Sequence, residues 1–396
     1  MILSDIKNKK VLIINDGRGI SNYGLDLSSK ALIELFELSG NCVDSISSMD
    51  FHRMVSTSFQ SLGKRIAKKL LPSVHFAERI PDSLDQYPSS FAAWSAHPNR
   101  SEKRLLNRLS RCDVVIYNAE GSTHSNNISS KKGLFLLYLA AKIGKKSFFM
   151  NGSVTLQREC TDKIAPVLAY VAEHIDMVYL REHLSYRNVC EIVGASNCAY
   201  LPDSIFKLYE IADSGMNATL DGRGYFLVSS SMSKPVGAFA PDMLPLGKLV
   251  DSLALKFGYP IFLIKDPEDV YLAKFAKSRG YKIFSGDNVE QMFSLFNNAS
   301  FLLSGRFHHL ILAIINGCPV IAMDTTSSKN RGIIGMLPQL EYSSHLINPS
   351  NVLASSEFIH EQATLISKPN VRAGAKAALT EFSRSQYNLL MTGFDL

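Results

Sequence analysis

The sequence predicts an α/β fold of two Rossmann-like domains facing each other across a cleft, on three observations. Its 396 residues exceed one ordinary domain and fall short of three. Short apolar runs alternate with helical runs over nearly the whole length, the pattern of parallel strands joined by crossover helices. A polar, glycine-bearing stretch, IADSGMNATLDGRG at 211–224, interrupts that alternation once, and the alternation resumes beyond it. The expected organisation is 1–210 as an N-terminal domain, 211–224 as a linker, 225–370 as a C-terminal domain, and 371–396 as a helix packing back on the first domain.

In chain order, KVLIIND reads as a buried strand. LSSKALIELFELSG reads as a helix, with Leu32, Ile33, Leu35, Phe36 and Leu38 apolar and Gly40 closing it. DVVIYNA (strand), GLFLLYLAAKIG (helix) and the strands KSFFMNG, MVYLRE and CAYLPD complete the first series. The second series runs YFLVSSS, the helix LGKLVDSLALKFG, PIFLIKD, the helix VYLAKFAKSRG, YKIFSG, a helix from Val289 to Phe296, ASFLLSG, an apolar helix opening on two histidines, and PVIAMD. NVRAGAKAALTEFSRSQYNLL closes the chain with helical spacing.

Composition narrows the function classes. Hydrophobic residues make up 46% and charged residues 20%, enough to fill real cores. The first apolar run is too short for the centre of a signal peptide, and the longest ones, Leu134–Ile143 and Leu310–Ile315, fall far below a membrane span, so a cytoplasmic protein is expected. Six cysteines without a CxxC pair read as small core residues, neither a disulfide framework nor a zinc site. The formal charge of +6 is unevenly placed. GKRIAKKLLP, Gly63–Pro72, reads as a short basic amphipathic helix: a solvated face, or alternatively a peripheral contact with the inner face of the cell membrane. No aromatic and basic interleaving accompanies it, so nucleic acid is not an expected partner.

Groups able to do chemistry cluster at the predicted strand ends. In SGRFHHLILAIINGCPVIAMD, Arg306, His308 and His309 open an otherwise apolar helix, where backbone N–H groups attract anions and arginine adds a planar fork for phosphate or carboxylate. Arginine pairing with an acidic residue and histidine capped by a carbonyl are the structural alternatives. NAEGSTHSN offers Glu120, Thr123 and His124 beside Gly121, which permits close approach, although the same stretch suits a turn with an N-cap. NDGRGISNYGLD is glycine-rich but matches neither G-x-G-x-x-G nor a Walker A loop, and its Gly19 and Asn22 are candidates for holding an acceptor or a phosphate. Arg181 follows DMVYL, with an ion pair to Glu182 as its structural alternative, and DTTSSKNRG brings Ser328 and Lys329 to the last strand end. The Pro202–Ser204 turn reads as a hinge or an acidic contributor to the cleft. No metal-ligand set is evident, and metal independence is expected.

Taken in order, SNYGLD, DVVIYNAEGSTH, VYLREHLS, LPDSIFKL and SGRFHHLILAIINGCPVIAMDTTSSKNRG resemble the polysaccharide pyruvyl transferase family over roughly residues 10–340. Arg306 and His308 match that family's Arg-x-His step, and Arg181 matches its arginine after the VYL strand. Phe307 stands where the family has leucine, His309 is additional, and AEGS replaces a glycine-richer turn. The resemblance implies a GT-B-like architecture, with 1–210 on the acceptor side and 225–370 on the donor side, and transfer of a pyruvyl group from phosphoenolpyruvate to a sugar of a surface polysaccharide or its lipid-linked oligosaccharide precursor, forming a cyclic ketal. Phosphoenolpyruvate is then a donor substrate, with no cofactor. Arg181 and Arg306 would hold its phosphate and carboxylate, with His309, Ser328 and Lys329 beside them. His308 would act as general acid or base near neutral pH, and Glu120 or His124 would deprotonate an acceptor lying along Gly19, Asn22, Gly121 and Thr123. Two readings compete: a GT-B-type glycosyltransferase using a nucleotide-activated sugar, for example a CMP-linked acidic one, and a non-catalytic sugar-polymer or scaffold protein.

Overall fold

The computed structural model describes residues 6–20, 22–53, 80–81, 83–120, 128–155, 158–213, 224–230, 239–264, 269–285, 288–325, 327–341, 346–347 and 355–396. The basic segment Gly63–Pro72 and most of the linker, 214–223, lie outside them. The chain divides into two compact units, one of Met1–Ile20, Leu25–Ser204 and Met391–Leu396, the other of Ser21–Gly24 and Ile205–Leu390.

The first unit is built on six parallel strands: β1 (Lys10–Asp16), β2 (Cys42–Ser47), β3 (Val114–Asn118), β4 (Lys146–Gly152), β5 (Met177–Leu180) and β6 (Cys198–Tyr200), in the order β2-β1-β3-β4-β5-β6. Each of β1, β3 and β4 is buried along nearly its whole length, as a parallel sheet covered on both faces requires. Around them lie α1 (Tyr23–Leu38), α2 (Ser48–Arg53), α3 (Gln86–Ala96), α4 (Arg100–Arg111), α5 (Ile128–Lys142), α6 (Arg158–Ala172) and α7 (His183–Val193). α5 reaches close to the sheet through Gly133, where an added Cβ would fall 2.1 Å from the Tyr117 ring. Tyr87 of α3 meets Phe135, Tyr138 and Tyr170 edge-on at 5.1–5.7 Å, and Trp94 meets Phe135 at 5.4 Å, so α3 is held by ring contacts rather than by an apolar stripe. The chain's last residues join this unit: the Phe394 ring stands on Phe36 at 5.0 Å, and Lys7 pairs with Asp395 at 2.8 Å.

The second unit carries five parallel strands: β7 (Tyr225–Val228), β8 (Tyr259–Leu263), β9 (Lys282–Phe284), β10 (Leu302–Ser304) and β11 (Val320–Ala322), in the order β11-β10-β7-β8-β9. Its helices are α8 (Tyr209–Asp213), α9 (Phe239–Phe257), α10 (Val270–Ser278), α11 (Val289–Asn298), α12 (Phe307–Ile315), α13 (Lys329–Ile334), α14 (Ser356–Ile366) and most of α15 (Pro369–Phe394). Phe226, Val228, Phe262, Leu303 and Ile321 of the sheet pack with Leu249, Leu253, Ile359 and Ala363 in one core. No described helix is long and apolar enough to cross a membrane.

The cysteines depart from the sequence expectation. Cys190 at the end of α7 and Cys198 opening β6 form a disulfide, and Cys42 is exposed, while Cys112 and Cys318 are buried core residues. The bridge closes the short return from helix to strand, a pairing that sequence spacing without a CxxC motif did not suggest.

Candidate functional site

Each sheet reverses its winding once, between β1 and β3 in the first unit and between β7 and β10 in the second, and the carboxyl ends of strands at such a point leave a crevice where ligands bind. In the second unit that point is built from two short serine-bearing strand ends. The Ser229 and Ser304 hydroxyls lie 2.5 Å apart, and Ser304 Oγ accepts the Arg306 backbone N–H at 2.9 Å. Arg306 is 8% exposed: its Nε donates to Ser230 Oγ at 2.9 Å and its Nη2 to Asp269 Oδ1 at 2.6 Å, while Ser230 donates to the same carboxylate at 2.6 Å. The arginine is thus held against the strand ends by a buried counter-ion, which also offsets much of its pull on a ligand anion. Asn330, which the sequence did not single out, ties the adjoining loops by donating to Gly305 O at 2.8 Å and Met323 O at 3.0 Å.

α12 opens here without a side-chain cap, so its first N–H groups keep the partial positive charge that attracts anions. Eight of its nine residues are buried, and His308 alone is half-buried. The Phe307 ring stands edge-on to the His308 ring at 5.3 Å, and Lys329 Nζ lies 5.8 Å from the Phe307 centroid, so His308 and Lys329 flank one aromatic. Ser328 sits at the N-cap position of α13, half-buried.

His309, an expected ligand contact, is 5% exposed and close enough to Arg306, Asp269 and His308 to feel their charges, and its Nδ1 has no hydrogen-bond partner among the described residues. Burial, with Arg306 and His308 adding to it, pushes its pKa down to about 3 despite Asp269, so the ring stays neutral in the folded state. Unfolded, it titrates near the ordinary histidine value of about 6.5, so between those two values the unfolded chain binds the extra proton. Stability is therefore expected to fall as pH drops below about 6.5 toward 3, and His309→Phe, which removes both the titration and the unpartnered nitrogen, is expected to flatten that slope in thermal melts followed by circular dichroism.

In the first unit the switch point is lined by asparagine. Asn118 ends β3, and Asn15 and Asn151 stand one residue before the ends of β1 and β4: Asn15 Nδ2 donates to Asn118 O at 2.8 Å, and Asn151 Nδ2 donates to Asn118 Oδ1 at 3.3 Å and to Ser204 Oγ at 2.8 Å. Asn15 and Asn151 both have positive φ, which asparagine tolerates better than most residues. The runs Asn15-Asp16-Gly17 and Asn151-Gly152 were the signal available in the sequence at two of these strand ends.

The glycine-rich loop that follows β1 is internally satisfied. Gly17 N–H donates to Ser29 Oγ at 2.8 Å, and Gly19 N–H, in the left-handed region at φ 76°, donates to Asp26 Oδ1 at 2.9 Å, so Gly19 offers no backbone donor to a phosphate. Burial raises the Asp16 carboxyl, but bonds from Arg18 and Ser45 outweigh it and hold the group below the ordinary carboxylate range. Asn22 is half-buried and falls in the four-residue piece of chain grouped with the second unit.

Arg181 is also enclosed in protein. It is 1% exposed, with Nε on Ser153 Oγ at 2.9 Å and Nη1 shared between Glu120 and Asp203, the latter at 2.8 Å. Burial opposes its charge, but the two carboxylates outweigh that and hold the guanidinium above its ordinary pKa. Glu182, the partner expected from adjacency, instead caps α7 by accepting the Ser185 N–H at 2.9 Å. Glu120, Arg181 and Asp203 thus sum to one net negative charge on formal counting. Gly121, Thr123 and His124 lie outside the described residues.

A family model described as polysaccharide pyruvyl transferase matches residues 22–327. No curated protein sequence matches the chain. Among solved structures, the chain is similar to a glycosyltransferase from Rickettsia africae ESF-5, at 12% identity, with 97% of this chain and 96% of that chain covered and a TM-score of 0.58. An S. aureus MnaA–UDP co-structure aligns at 13% identity over 97% and 94% with a TM-score of 0.55. The UDP-GlcNAc 2-epimerase of Methanocaldococcus jannaschii aligns at 14% identity over 95% and 99% with a TM-score of 0.52. These likenesses establish the fold, a GT-B arrangement of two parallel sheets.

Proposed function

Since the chain belongs to the polysaccharide pyruvyl transferase family, we propose that it transfers the pyruvyl group of phosphoenolpyruvate to two hydroxyls of a polysaccharide sugar, or of its lipid-linked precursor, in the cytoplasm. The observation that carries this reading is the cluster at the β7/β10 switch point, where an uncapped helix start, Arg306, Lys329 and the half-buried His308 gather. A ligand with a phosphate and a carboxylate suits the helix start and the two cations.

In the proposed reaction the methylene carbon of the enol phosphate gains a proton, a sugar oxygen bonds to the neighbouring carbon, inorganic phosphate leaves, and a second hydroxyl closes the ketal. Of the two hydroxyl protons, one is balanced by the new methyl group and the other by the departing phosphate. His308 is assigned the proton transfer at the donor. Glu120 is assigned the acceptor proton: in a triad with one excess negative charge, its protonation leaves a neutral Arg181–Asp203 pair behind, so the buried arginine acts by positioning this carboxylate. No metal is assigned a role.

The test is thermal stability with phosphoenolpyruvate, CMP, UDP and GDP added separately, since a ligand that binds only the folded state raises the midpoint. A rise with phosphoenolpyruvate, diminished in His308→Asn, is the expected result. The likeness to the S. aureus MnaA–UDP co-structure favours one second reading, a glycosyltransferase on the same fold. A rise with a nucleotide and none with phosphoenolpyruvate would select it.

A further inference from the structure

We propose that the exposed face of α4 is a docking surface for an anionic lipid bilayer. The twelve residues of this helix, RSEKRLLNRLSR, include five basic side chains and one acidic one. The acidic one does not offset them at the surface: Glu102 is 0% exposed, its carboxylate accepts the Asn99 N–H at 2.8 Å, and Asn99 Oδ1 accepts the Glu102 N–H at 3.0 Å, a reciprocal cap on the helix start. Glu102, Leu105 and Leu109 form the buried stripe, with Leu106 half-buried beside them. The opposite stripe, at helical spacings of three and four, is Arg100, Lys103, Arg104, Asn107 and Arg111, all exposed. Among the described residues no ion pair engages Arg100, Lys103, Arg104 or Arg111; only Arg108 is neutralised, by Asp44 at 2.7 Å.

The stripe continues onto the next layer. Lys145 Nζ donates to Ser110 O at 2.9 Å, which brings the end of α5, with exposed Lys142 and Lys146, against the end of α4. Two exposed acidic groups border this end of the helix: Asp113, whose carboxylate accepts the Lys10 backbone N–H at 2.9 Å, and Asp44, which pairs with Arg108. The row of cations on α4 itself is roughly 16 Å long, and the helix contributes no acidic side chain to its exposed face.

Charge complementarity points to a sheet of anionic headgroups rather than a compact ligand, because the cations lie in a line along one face of the helix. None of the exposed large hydrophobic residues among those described lies on α4, so no apolar side chain would insert and no aromatic would stack on a nucleic-acid base. The attachment is therefore electrostatic and salt-sensitive. It is a property of the first unit and stands whichever donor the second unit takes.

The experiment is cosedimentation of the full chain with vesicles of phosphatidylcholine alone and of phosphatidylcholine with about one third phosphatidylglycerol, in about 0.1 M and about 1 M salt. Binding to the anionic vesicles only, lost at high salt, is expected. Each cation contributes about fivefold, so Lys103→Gln/Arg104→Gln/Arg111→Gln is expected to weaken partitioning about 100-fold, with an unchanged circular dichroism spectrum and melting midpoint. Arg384→Glu, an exposed change in the second unit, is expected to leave partitioning unaltered. Equal binding to neutral and anionic vesicles, retention by RNA with none by vesicles, or a triple variant that partitions like the parent would each overturn the proposal. The last outcome would move any membrane contact to another segment, such as the basic run Lys64–Lys69.

Discussion

Arg181→Met is expected to lower the stability of the first unit by about 3–5 kcal/mol, among the largest losses any single substitution in this chain should cause. The side chain is 1% exposed and serves two carboxylates, Glu120 and Asp203, whose own side chains are 3% and 1% exposed. Methionine matches the arginine stem in length and packing, so the loss comes from electrostatics: two like charges are left side by side out of water. Removing either carboxylate alone leaves the arginine paired with the other, and Glu120→Gln or Asp203→Asn should cost only about 1–2 kcal/mol. The triple variant Arg181→Met/Glu120→Gln/Asp203→Asn should recover much of the single-variant loss, because neutral groups carry no comparable desolvation penalty. Trp94 is the chain's one tryptophan and sits at 0% exposure in the core of this unit, so its fluorescence during urea unfolding reports the relevant transition. A single variant no less stable than Glu120→Gln would mean that the carboxylates relax into solvent and that the triad does not hold the strand ends together.

The contrast between strands and helices shows what the sequence could reveal. KVLIIND, DVVIYNA and KSFFMNG announce buried parallel strands because both faces of each are covered, and the continuous apolar run is itself the signal. α3, α4 and α6 gave no comparable signal. α3 has no aliphatic side chain larger than alanine apart from Pro88 and is held by ring contacts to α5 and α6, α4 has only three leucines among its charges, and α6 carries Pro166. At the candidate site, the strand-end positions of Arg181, Arg306 and His308 were legible, since parallel strands end where the next loop begins. Their partners were not. Asp269 and Ser230 reach Arg306 from separate loops, and Glu120, Ser153 and Asp203 reach Arg181 from three, so the choice of counter-ion is made by the folded sheet. The difference between the two adjacent histidines is likewise made by the fold: His308 is left half-buried, while His309, one residue on, is buried.

Arg306 separates structure from chemistry by experiment. Arg306→Met is expected to cost about 3–5 kcal/mol, since it takes the guanidinium away from the carboxylate of Asp269, which is 2% exposed. In the proposed reaction it also removes a cation from the donor phosphate or carboxylate, and phosphate release from phosphoenolpyruvate should fall about 100-fold or more. The two losses have different cures. Arg306→Met/Asp269→Asn removes the stranded charge and should regain most of the stability, while phosphate release stays low because nothing replaces the cation at the helix start. Arg306→Lys keeps the charge but loses the fork that spans Ser230 and Asp269, so it should fall between the parent and Arg306→Met in both readouts. If the double variant regained activity together with stability, Arg306 would be a strut under the crevice, and anion recognition would pass to the α12 N–H groups and Lys329. A double variant that is stable and slow assigns the arginine to the donor, with Asp269 as the group that keeps it folded against the strand ends until a ligand anion competes for it.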